Sequence, residues 1–237
     1  MNAELERSIG ALFGAGVSVA ATDSSAAHPP LFPTEEFAMR RAVPHRLAEF
    51  AAGRAAARIA MQRLGLPPQA VPAAPDRSPV WPAGLNGSIS HANGICAAVL
   101  TRDASRRLGL DIEDPAPLEA DLWPLVLTPR EMTKLDDVAQ SDQGAIAKRI
   151  FCIKEAAYKA QFPLTGAVIG FQALEVVELP RPVTGAASGE TGVRVTAVGT
   201  MVPKLAELFP SEGSTVHFAG PTRATCNLLV TALTLPS

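Results

Sequence analysis

A carboxylate between two lysines marks the stretch from Ile150 to Ala160. Glu155 precedes Lys159 by four residues, so the two side chains share one face of a predicted helix. Taken alone, such a pair is commonly a solvated ion pair worth about 0.3–0.5 kcal/mol. The neighbours of Glu155 are mostly apolar, however, which favours a position at the margin of a buried surface. Charges in such a position need partners, and other stretches of the chain offer them.

Two further carboxylates alternate with apolar residues in a predicted strand from Leu108 to Glu113. Asp111 and Glu113 point to the same face of this strand, about 6.5–7 Å apart at the backbone. They repel each other unless a cation lies between them, and oxygen ligands suit a hard ion such as Mg²⁺. An exposed polar strand face is the alternative for this pair alone. The availability of Glu155 as a third oxygen ligand favours the metal site.

Arginines are concentrated in the segment 40–63, which holds six of them against a single acid, Glu49. Residues 45–64 are predicted to form a helix that ends at Gly65, and Arg54 falls within its apolar stripe. A solvated basic face is the alternative interpretation. A guanidinium group near apolar surface is the usual choice for binding phosphate, which favours an anion site.

A β-hairpin is predicted from the runs 85–91 and 95–100, because the Asn93-Gly94 pair between them is a strong turn signal. Ser90 and His91 close its first strand. Neighbouring residues of a strand face opposite sides, which argues against a Ser-His hydrolase.

Composition restricts the remaining possibilities. The chain is 47% hydrophobic, which is enough for a real core, and its net charge of −2 gives no general attraction to nucleic acid or to an anionic membrane. Three cysteines without CxxC spacing argue against a disulfide framework and a zinc site, so a cytoplasmic setting is expected. The apolar segment near the N-terminus is predicted to form a short helix and a first strand, 17–20, rather than a signal sequence. No run is long enough for a membrane span.

The rest of the chain is predicted to contain a helix beginning at Thr128, a second helix over 147–161, and then strands. Those strands are expected at 174–179, 193–198, 215–218 and 226–235, with a short helix over 204–209. Gly, Pro and Ser clusters between the strands favour antiparallel hairpins.

Three motifs together resemble the signature of the Sfp-like 4′-phosphopantetheinyl transferases. They are the GSISH run at 87–91, the GLDIE run at 109–113 and the FCIKEAAYK run at 151–159. The sequence is more narrowly similar to the siderophore-synthetase (enterobactin) branch, through the EFAAGR run at 49–54, the WPAG run at 81–84 and the FPLTG run at 162–166. The matched stretches keep the order of the family between about residues 31 and 171.

This resemblance implies a reaction and a set of site residues. Coenzyme A would donate 4′-phosphopantetheine to a serine of an acyl or peptidyl carrier protein domain, releasing adenosine 3′,5′-bisphosphate. A magnesium ion would be held by Asp111, Glu113 and Glu155. Glu155, or a metal-bound water that it orients, would be the base, and Lys159 would neutralise the phosphates. The predicted coenzyme A contacts are Arg46, Arg54, Arg77, Ser90, His91, Lys154 and Lys159.

The resemblance also implies an α+β fold of two pseudo-twofold-related halves, each a small antiparallel sheet packed against a long helix. We expect the N-terminal half at 1–117, the C-terminal half at 118–237, and a monomer with its active site between the halves. Two alternatives remain open. One is a coenzyme A-binding sensor or assembly partner without catalysis, and the other is a metal-dependent phosphohydrolase.

Overall fold

The structure is a computed structural model, and it describes residues 2–176, 191–197, 217–225 and 228–236. The α-helices are α1 (Asn2–Phe13), α2 (Pro33–Met39), α3 (Pro44–Arg63), α4 (Trp123–Val126), α5 (Pro129–Asp136) and α6 (Gln140–Thr165). Short 3₁₀ helices occupy Ala120–Leu122 and Phe171–Ala173. The strands are β1 (Val17–Asp23), β2 (Asn86–Ala92), β3 (Ile95–Thr101), β4 (Arg106–Glu113), β5 (Leu174–Val176), β6 (Thr191–Ala197), β7 (His217–Thr225) and β8 (Leu228–Pro236). None of the helices in these residues is long and apolar enough to cross a membrane.

The strands form two antiparallel sheets, each packed against a long helix. One sheet has the order β1-β3-β2 and contacts α3, and the other has the order β4-β8-β7-β6-β5 and contacts α6. In the first half β1, α2, α3 and the β2-β3 hairpin follow one another. The second half has β4, α5, α6 and the β7-β8 hairpin in the same order, with α4 before α5 and with β5 and β6 before the hairpin, so β4-β8-β7 corresponds to β1-β3-β2. The predicted α+β class with small antiparallel sheets against helices is therefore confirmed. Strand β4 pairs with β8 and so belongs to the five-stranded sheet. The division of the chain into two halves at residue 117 stays a prediction.

Most predicted elements occur at the expected places, with shifted ends. The hairpin turn has positive φ at Asn93 (50°) and Gly94 (78°), as a two-residue type I′ turn requires. The long helix α6 begins seven residues before the predicted start at 147. Gly144, a poor helix former, lies in the added part, where its missing side chain lets Pro117 approach: a Cβ there would lie 2.9 Å from the Pro117 Cβ. Tertiary packing thus overrides local propensity.

In the C-terminal region, the predicted strands overlap β5, β6, β7 and β8 with different limits. The predicted helix at 204–209 and the parts of the predicted strands at 177–179, 198, 215–216 and 226–227 lie outside the described residues.

One buried interaction is repeated in both halves. At the start of α2, the Glu35 carboxylate accepts hydrogen bonds from the Phe32 and Val71 amides and from Arg58 of α3, at 2.9, 2.8 and 3.0 Å. At the start of α5, the carboxylate of Glu131 accepts from the amides of Thr128 and Val176 and from Lys154 of α6, at 2.7, 2.7 and 2.6 Å. Both carboxylates are completely buried. Glutamate and cation are 23 residues apart in each case, so each long helix is tied to the short helix before it in the same way.

The two faces of β4 have different neighbours. Leu108, Leu110 and Ile112 join a core that also includes apolar residues of α1, β1, β3 and β8. The opposite face meets α6 so closely that a Cβ at Gly109 would lie 1.9 Å from the Ala156 carbonyl oxygen. Only glycine permits this approach, which brings Asp111 and Glu113 of the same face against α6.

The buried ion pair of the second half generates a stability prediction. Replacing Glu131 with alanine leaves the Lys154 ammonium group buried without its partner, which should lower the free energy of unfolding by about 3–5 kcal/mol. Denaturant unfolding followed by circular dichroism measures this change. The matched control is Arg130→Ala, which removes an ion pair with Glu175 from a side chain that is 82% exposed and should cost less than about 1 kcal/mol. Equal losses in the two variants would contradict the prediction.

Candidate active site

A cleft of about 400 Å³ opens between the two halves of the fold. Helix α3, the loop before β2, strand β2, strand β4 and helix α6 each contribute side chains to its wall. Nine of the residues singled out from the sequence line it: Arg46, Arg54, Arg77, Ser90, His91, Asp111, Glu113, Glu155 and Lys159. Residues far apart in the chain thus meet in one place.

Asp111 is the most deeply buried acid of the cleft, with 2% of its surface exposed. Its Oδ1 atom accepts hydrogen bonds from Lys159 Nζ at 2.6 Å and from Ser90 Oγ at 3.1 Å. Its Oδ2 atom is buried and has no hydrogen-bond partner among the described residues. Burial and the charge of Asp111 raise the pKa of the nearby Cys152 thiol, which therefore remains protonated. One carboxylate oxygen is saturated, and the other is left with no strong donor.

The cation beside Asp111 is held in its charged form. Burial alone would lower the pKa of Lys159, but its ion pair with Asp111 and the charge of Glu155 raise it above the ordinary value. Lys159 also donates a hydrogen bond to Ser90 Oγ at 3.1 Å. A permanent positive charge is therefore placed on the α6 wall of the cleft.

The other two carboxylates are less constrained. Glu113 Oε2 lies 2.6 Å from Lys148 Nζ. Burial raises the pKa of Glu155; Lys159 opposes this effect, whereas the charges of Asp111 and Glu113 add to it. As the side chains stand, the described residues hold no group of three metal-binding side chains close enough to enclose an ion. Sequence reasoning missed Lys148, which precedes Glu155 by two helical turns and so shares its face of α6.

On the α3 side of the cleft, Glu49 lies near three basic side chains. Its carboxylate lies 3.3 Å from His91 Nδ1, from His45 Nε2 and from Arg46 Nη1. Arg46 Nη1 also lies 3.0 Å from His91 Nε2, which fits a neutral imidazole that donates from Nδ1 and accepts at Nε2. Burial lowers the pKa of His91, the Glu49 charge opposes this effect, and Arg46 and Lys159 add to it. In the sequence Glu49 stood out as the single acid of an arginine-rich segment and as the first residue of the EFAAGR run, with no predicted role in the site.

Arg54 is 7% exposed and is held by neutral groups. Its Nε atom donates to the Val71 carbonyl at 2.8 Å, and its guanidinium group lies 3.9 Å from the centroid of the Phe50 ring. Burial lowers the pKa of Arg54 to about 10, with Glu35 opposing the shift. In the described part of the chain Arg54 forms no ion pair with a carboxylate, so its Nη atoms remain suited to an anionic ligand.

Two residues expected to contact coenzyme A are placed differently. The Lys154 ammonium group is buried, donates to the Val126 carbonyl at 2.7 Å and pairs with Glu131, so it stabilises the fold rather than lining the cleft. The Ser90 hydroxyl donates to Asp111 and accepts from Lys159 and from the Ile112 amide. A hydroxyl has one donor and two acceptor positions, so no capacity remains for a ligand.

Arg77 reaches the cleft from a tight turn, in which its amide donates to the Ala74 carbonyl at 2.8 Å and its φ is +73°. A second cavity of about 550 Å³ adjoins the cleft here, and it shares Arg77 and Lys159. Its wall is largely apolar and includes Trp81 and Phe162. The junction between the two cavities therefore carries two positive charges.

The combination of an acid cluster and a basic anion site in a cleft between two sheet-and-helix halves is typical of enzymes that act on phosphates. Comparison with known proteins narrows this class of enzymes to one family. Residues 34–101 match the 4′-phosphopantetheinyl transferase N-terminal domain, and residues 107–194 match the 4′-phosphopantetheinyl transferase superfamily. The chain belongs to the 4′-phosphopantetheinyl transferase superfamily, a family of enzymes.

Several characterised relatives are similar over a large part of the chain. The 4′-phosphopantetheinyl transferase Svp of Streptomyces mobaraensis is 36% identical over 199 residues, which cover 73% of this chain and 80% of Svp. PptT of Mycobacterium tuberculosis is 37% identical over 61% of this chain and 64% of its own length. Enterobactin synthase component D of Escherichia coli K12 is 36% identical over 48% of this chain and 54% of its own length. The predicted resemblance to the enterobactin branch is thus supported alongside other branches.

The geometry around His91 predicts a change in its pKa. In Glu49→Gln the carboxylate charge that favours the imidazolium is lost, so the pKa of His91 should fall further below its ordinary value. An NMR titration of the imidazole signals measures this shift. Glu36→Gln serves as the control, because Glu36 lines a separate groove and should leave the titration unchanged. A rise in the pKa of His91 in Glu49→Gln would contradict the assignment.

Proposed function

We propose that this enzyme transfers 4′-phosphopantetheine from coenzyme A to a serine hydroxyl of an acyl or peptidyl carrier domain, releasing adenosine 3′,5′-bisphosphate. The observation that carries the proposal is the meeting of Asp111, Glu113, Glu155 and Lys159 in one cleft with the basic residues of α3 and β2. A diphosphate with a separate phosphate at its adenosine end matches this arrangement of charges.

The acid cluster fits a magnesium ion. Asp111 offers a buried oxygen with no hydrogen-bond partner, and Glu113 and Glu155 add hard oxygen donors on the same cleft. Magnesium commonly takes one or two carboxylates and completes its shell with water and substrate phosphates, so a closed protein cage is not needed. Asp111 would hold the ion, with Glu113 and Glu155 beside it. Bound there, Mg²⁺ would neutralise charge on the diphosphate.

The reacting groups follow from the same geometry. The carrier serine oxygen attacks the phosphorus that bears the pantetheine arm, and the bond to the bridging oxygen of the diphosphate breaks. Glu155, whose pKa is raised by burial, accepts the serine proton directly or through a water. Lys159 stabilises the charge on the departing phosphate, because phosphoryl transfer depends mainly on positioning and on charge neutralisation.

The basic end of the cleft would bind the 3′-phosphate of coenzyme A. Arg46, Arg54, Arg77 and His91 all line the cleft, and Arg54 is buried while Arg77 is exposed. An arriving phosphate would take the place of Glu49 as the partner of His91 and Arg46, and its negative charge would favour the protonated imidazole.

The proposal also covers the cellular location and the oligomeric state of the enzyme. Cys96 and Cys152 are free and buried, which supports a reducing cytoplasmic location. We also propose a monomer, because the site is built within one chain.

A panel of apo carrier domains from siderophore, polyketide and fatty-acid systems identifies the acceptor by the mass gained on transfer.

The metal assignment predicts the effect of changing one oxygen. Asp111→Asn keeps the shape of the side chain but removes its charge, so transfer to an apo carrier domain should fall at least about 100-fold. A chelator should abolish wild-type transfer, and added Mg²⁺ should restore it. Asp103→Asn is the matched control, since Asp103 is an exposed acid that bonds Ser105 outside the cleft.

Different results of this assay identify different functions. A near-normal rate in Asp111→Asn would show that the metal assignment is wrong. Binding of coenzyme A that a chelator does not affect, with no carrier modified, would indicate a sensor. Consumption of coenzyme A in the absence of any carrier would indicate a phosphohydrolase.

The phosphate assignment predicts a selective loss of affinity. Arg77→Ala should raise the KM for coenzyme A roughly tenfold, since a hydrogen bond to a charged group contributes about 1.5–3 kcal/mol. The KM for dephospho-coenzyme A, which lacks the 3′-phosphate, should change little. Steady-state transfer assays with both donors make the comparison within one variant. An equal increase for both donors would place Arg77 away from the 3′-phosphate.

A further inference from the structure

The strands β2 and β4 are neighbours although they belong to different sheets. β2 is the edge of the three-stranded sheet, and β4 is the edge of the five-stranded sheet. Among the described residues, backbone pairing joins β2 to β3 and β4 to β8. The two edges are nevertheless in close contact, and the residues that face each other there are buried. Buried amides on these edges need acceptors from side chains.

Two serine hydroxyls of β2 supply these acceptors. The Leu110 amide donates to Ser88 Oγ, and the Ile112 amide donates to Ser90 Oγ, both at 3.1 Å. The separation is 22 residues in both bonds, so the strands run in the same direction at this junction. Two hydroxyls that are two residues apart on one face of β2 therefore accept hydrogen bonds from two amides that are two residues apart on β4.

Asp111 lies between the two amides that are held in this way. Ser90 also donates to Asp111 Oδ1 and accepts from Lys159. The serine pair thus fixes the backbone on both sides of Asp111, and Ser90 saturates one of its carboxylate oxygens together with Lys159. Among the described residues Oδ2 accepts no hydrogen bond from an N–H or O–H group, and the buried Cys152 thiol, which interacts with the Asp111 carboxylate, is only a weak donor.

We propose that Ser88 and Ser90 are positioning residues that join β2 to β4 through their hydroxyls and thereby fix Asp111 with Oδ1 saturated and Oδ2 directed to a cation. The proposal rests on the proposed function for the identity of the cation and the reaction. Ser88 lines the adjoining cavity rather than the cleft that contains Asp111, and its hydroxyl acts on Asp111 through the Leu110 amide and the backbone of β4.

Amide hydrogen exchange tests the junction without any assay of activity. In the wild-type protein the Leu110 and Ile112 amides should be protected as strongly as the Asp111 amide. Ser88→Ala should accelerate exchange at Leu110 at least tenfold, and Ser90→Ala should do so at Ile112. The matched control is Ser18→Ala, which removes a hydrogen bond of 2.9 Å to the Ala60 carbonyl from β1 of the same sheet and should alter neither amide.

Unprotected Leu110 and Ile112 amides in the wild-type protein would overturn the proposal, and this measurement does not require the variants to fold. Exchange at Leu110 that is equally fast in Ser88→Ala and Ser18→Ala would also overturn it.

Kinetics test the consequence for Asp111. Ser88→Ala should raise the Mg²⁺ concentration for half-maximal transfer and lower kcat, each severalfold, while the KM for coenzyme A stays within twofold. Calorimetric titration of Mg²⁺ into the protein with coenzyme A should show the same weakening of metal affinity. Ser88→Thr, which retains a hydroxyl, should recover most of the wild-type kcat and of the wild-type affinity for Mg²⁺.

A change confined to the melting temperature, as expected for Ser18→Ala, would assign Ser88 a purely structural role and overturn the proposal. An increase confined to the KM for coenzyme A would overturn it by making the serines ligand contacts. If the wild-type protein transfers nothing to any carrier, the proposed function fails, and the exchange experiment still decides whether the hydroxyls join the two strands.

Discussion

The burial of one carboxylate, Asp111, sets the conditions that the rest of the site satisfies. An ionised acid with 2% exposure is tolerated only with a cation and hydrogen bonds beside it. Lys159 of α6 supplies the cation at 2.6 Å, and Ser90 of β2 donates a hydrogen bond at 3.1 Å. Asp111 can therefore be buried only when elements of both halves are in place. Gly109 allows α6 to come close enough for this contact. The acid cluster therefore depends on the assembly of the whole fold.

The glutamates in the first turns of α2 and α5 are also buried carboxylates that need a cation and hydrogen bonds beside them. Each is completely buried, and each is compensated by two amides and one cation from the long helix that follows. The repeat lies in the interaction and its spacing rather than in residue identity, since Arg58 in one half corresponds to Lys154 in the other. This explains why no internal repeat is visible in the sequence. It also explains the role of Lys154, which stands beside Glu155 in a motif yet serves stability.

Sequence patterns were sufficient for the features that depend on local periodicity. They located the hairpin turn at Asn93-Gly94, the alternation of β4 and the helix that carries Glu155 and Lys159, because each of these follows from spacing along the chain. They were insufficient for Ser90, Lys154 and Lys148, whose roles are decided by residues 21 to 69 positions away. A serine next to a histidine suggests a ligand contact, whereas the filled hydroxyl of Ser90 is visible only once β4 lies beside β2.

If the basic residues of the cleft bind a polyanion, as we propose, their charges must be compensated before the ligand arrives. Like charges brought together repel one another, and the charges of Arg46 and Lys159 help to lower the pKa of His91. Glu49 offsets this repulsion for His91 and Arg46, and the Phe50 ring and the Val71 carbonyl hold Arg54 without adding a negative charge. A bound phosphate would compete with Glu49 for the first two residues but not with the partners of Arg54. In the proposed site Arg54 would therefore be the preorganised part, and His91 and Arg46 would be the part that responds to the ligand.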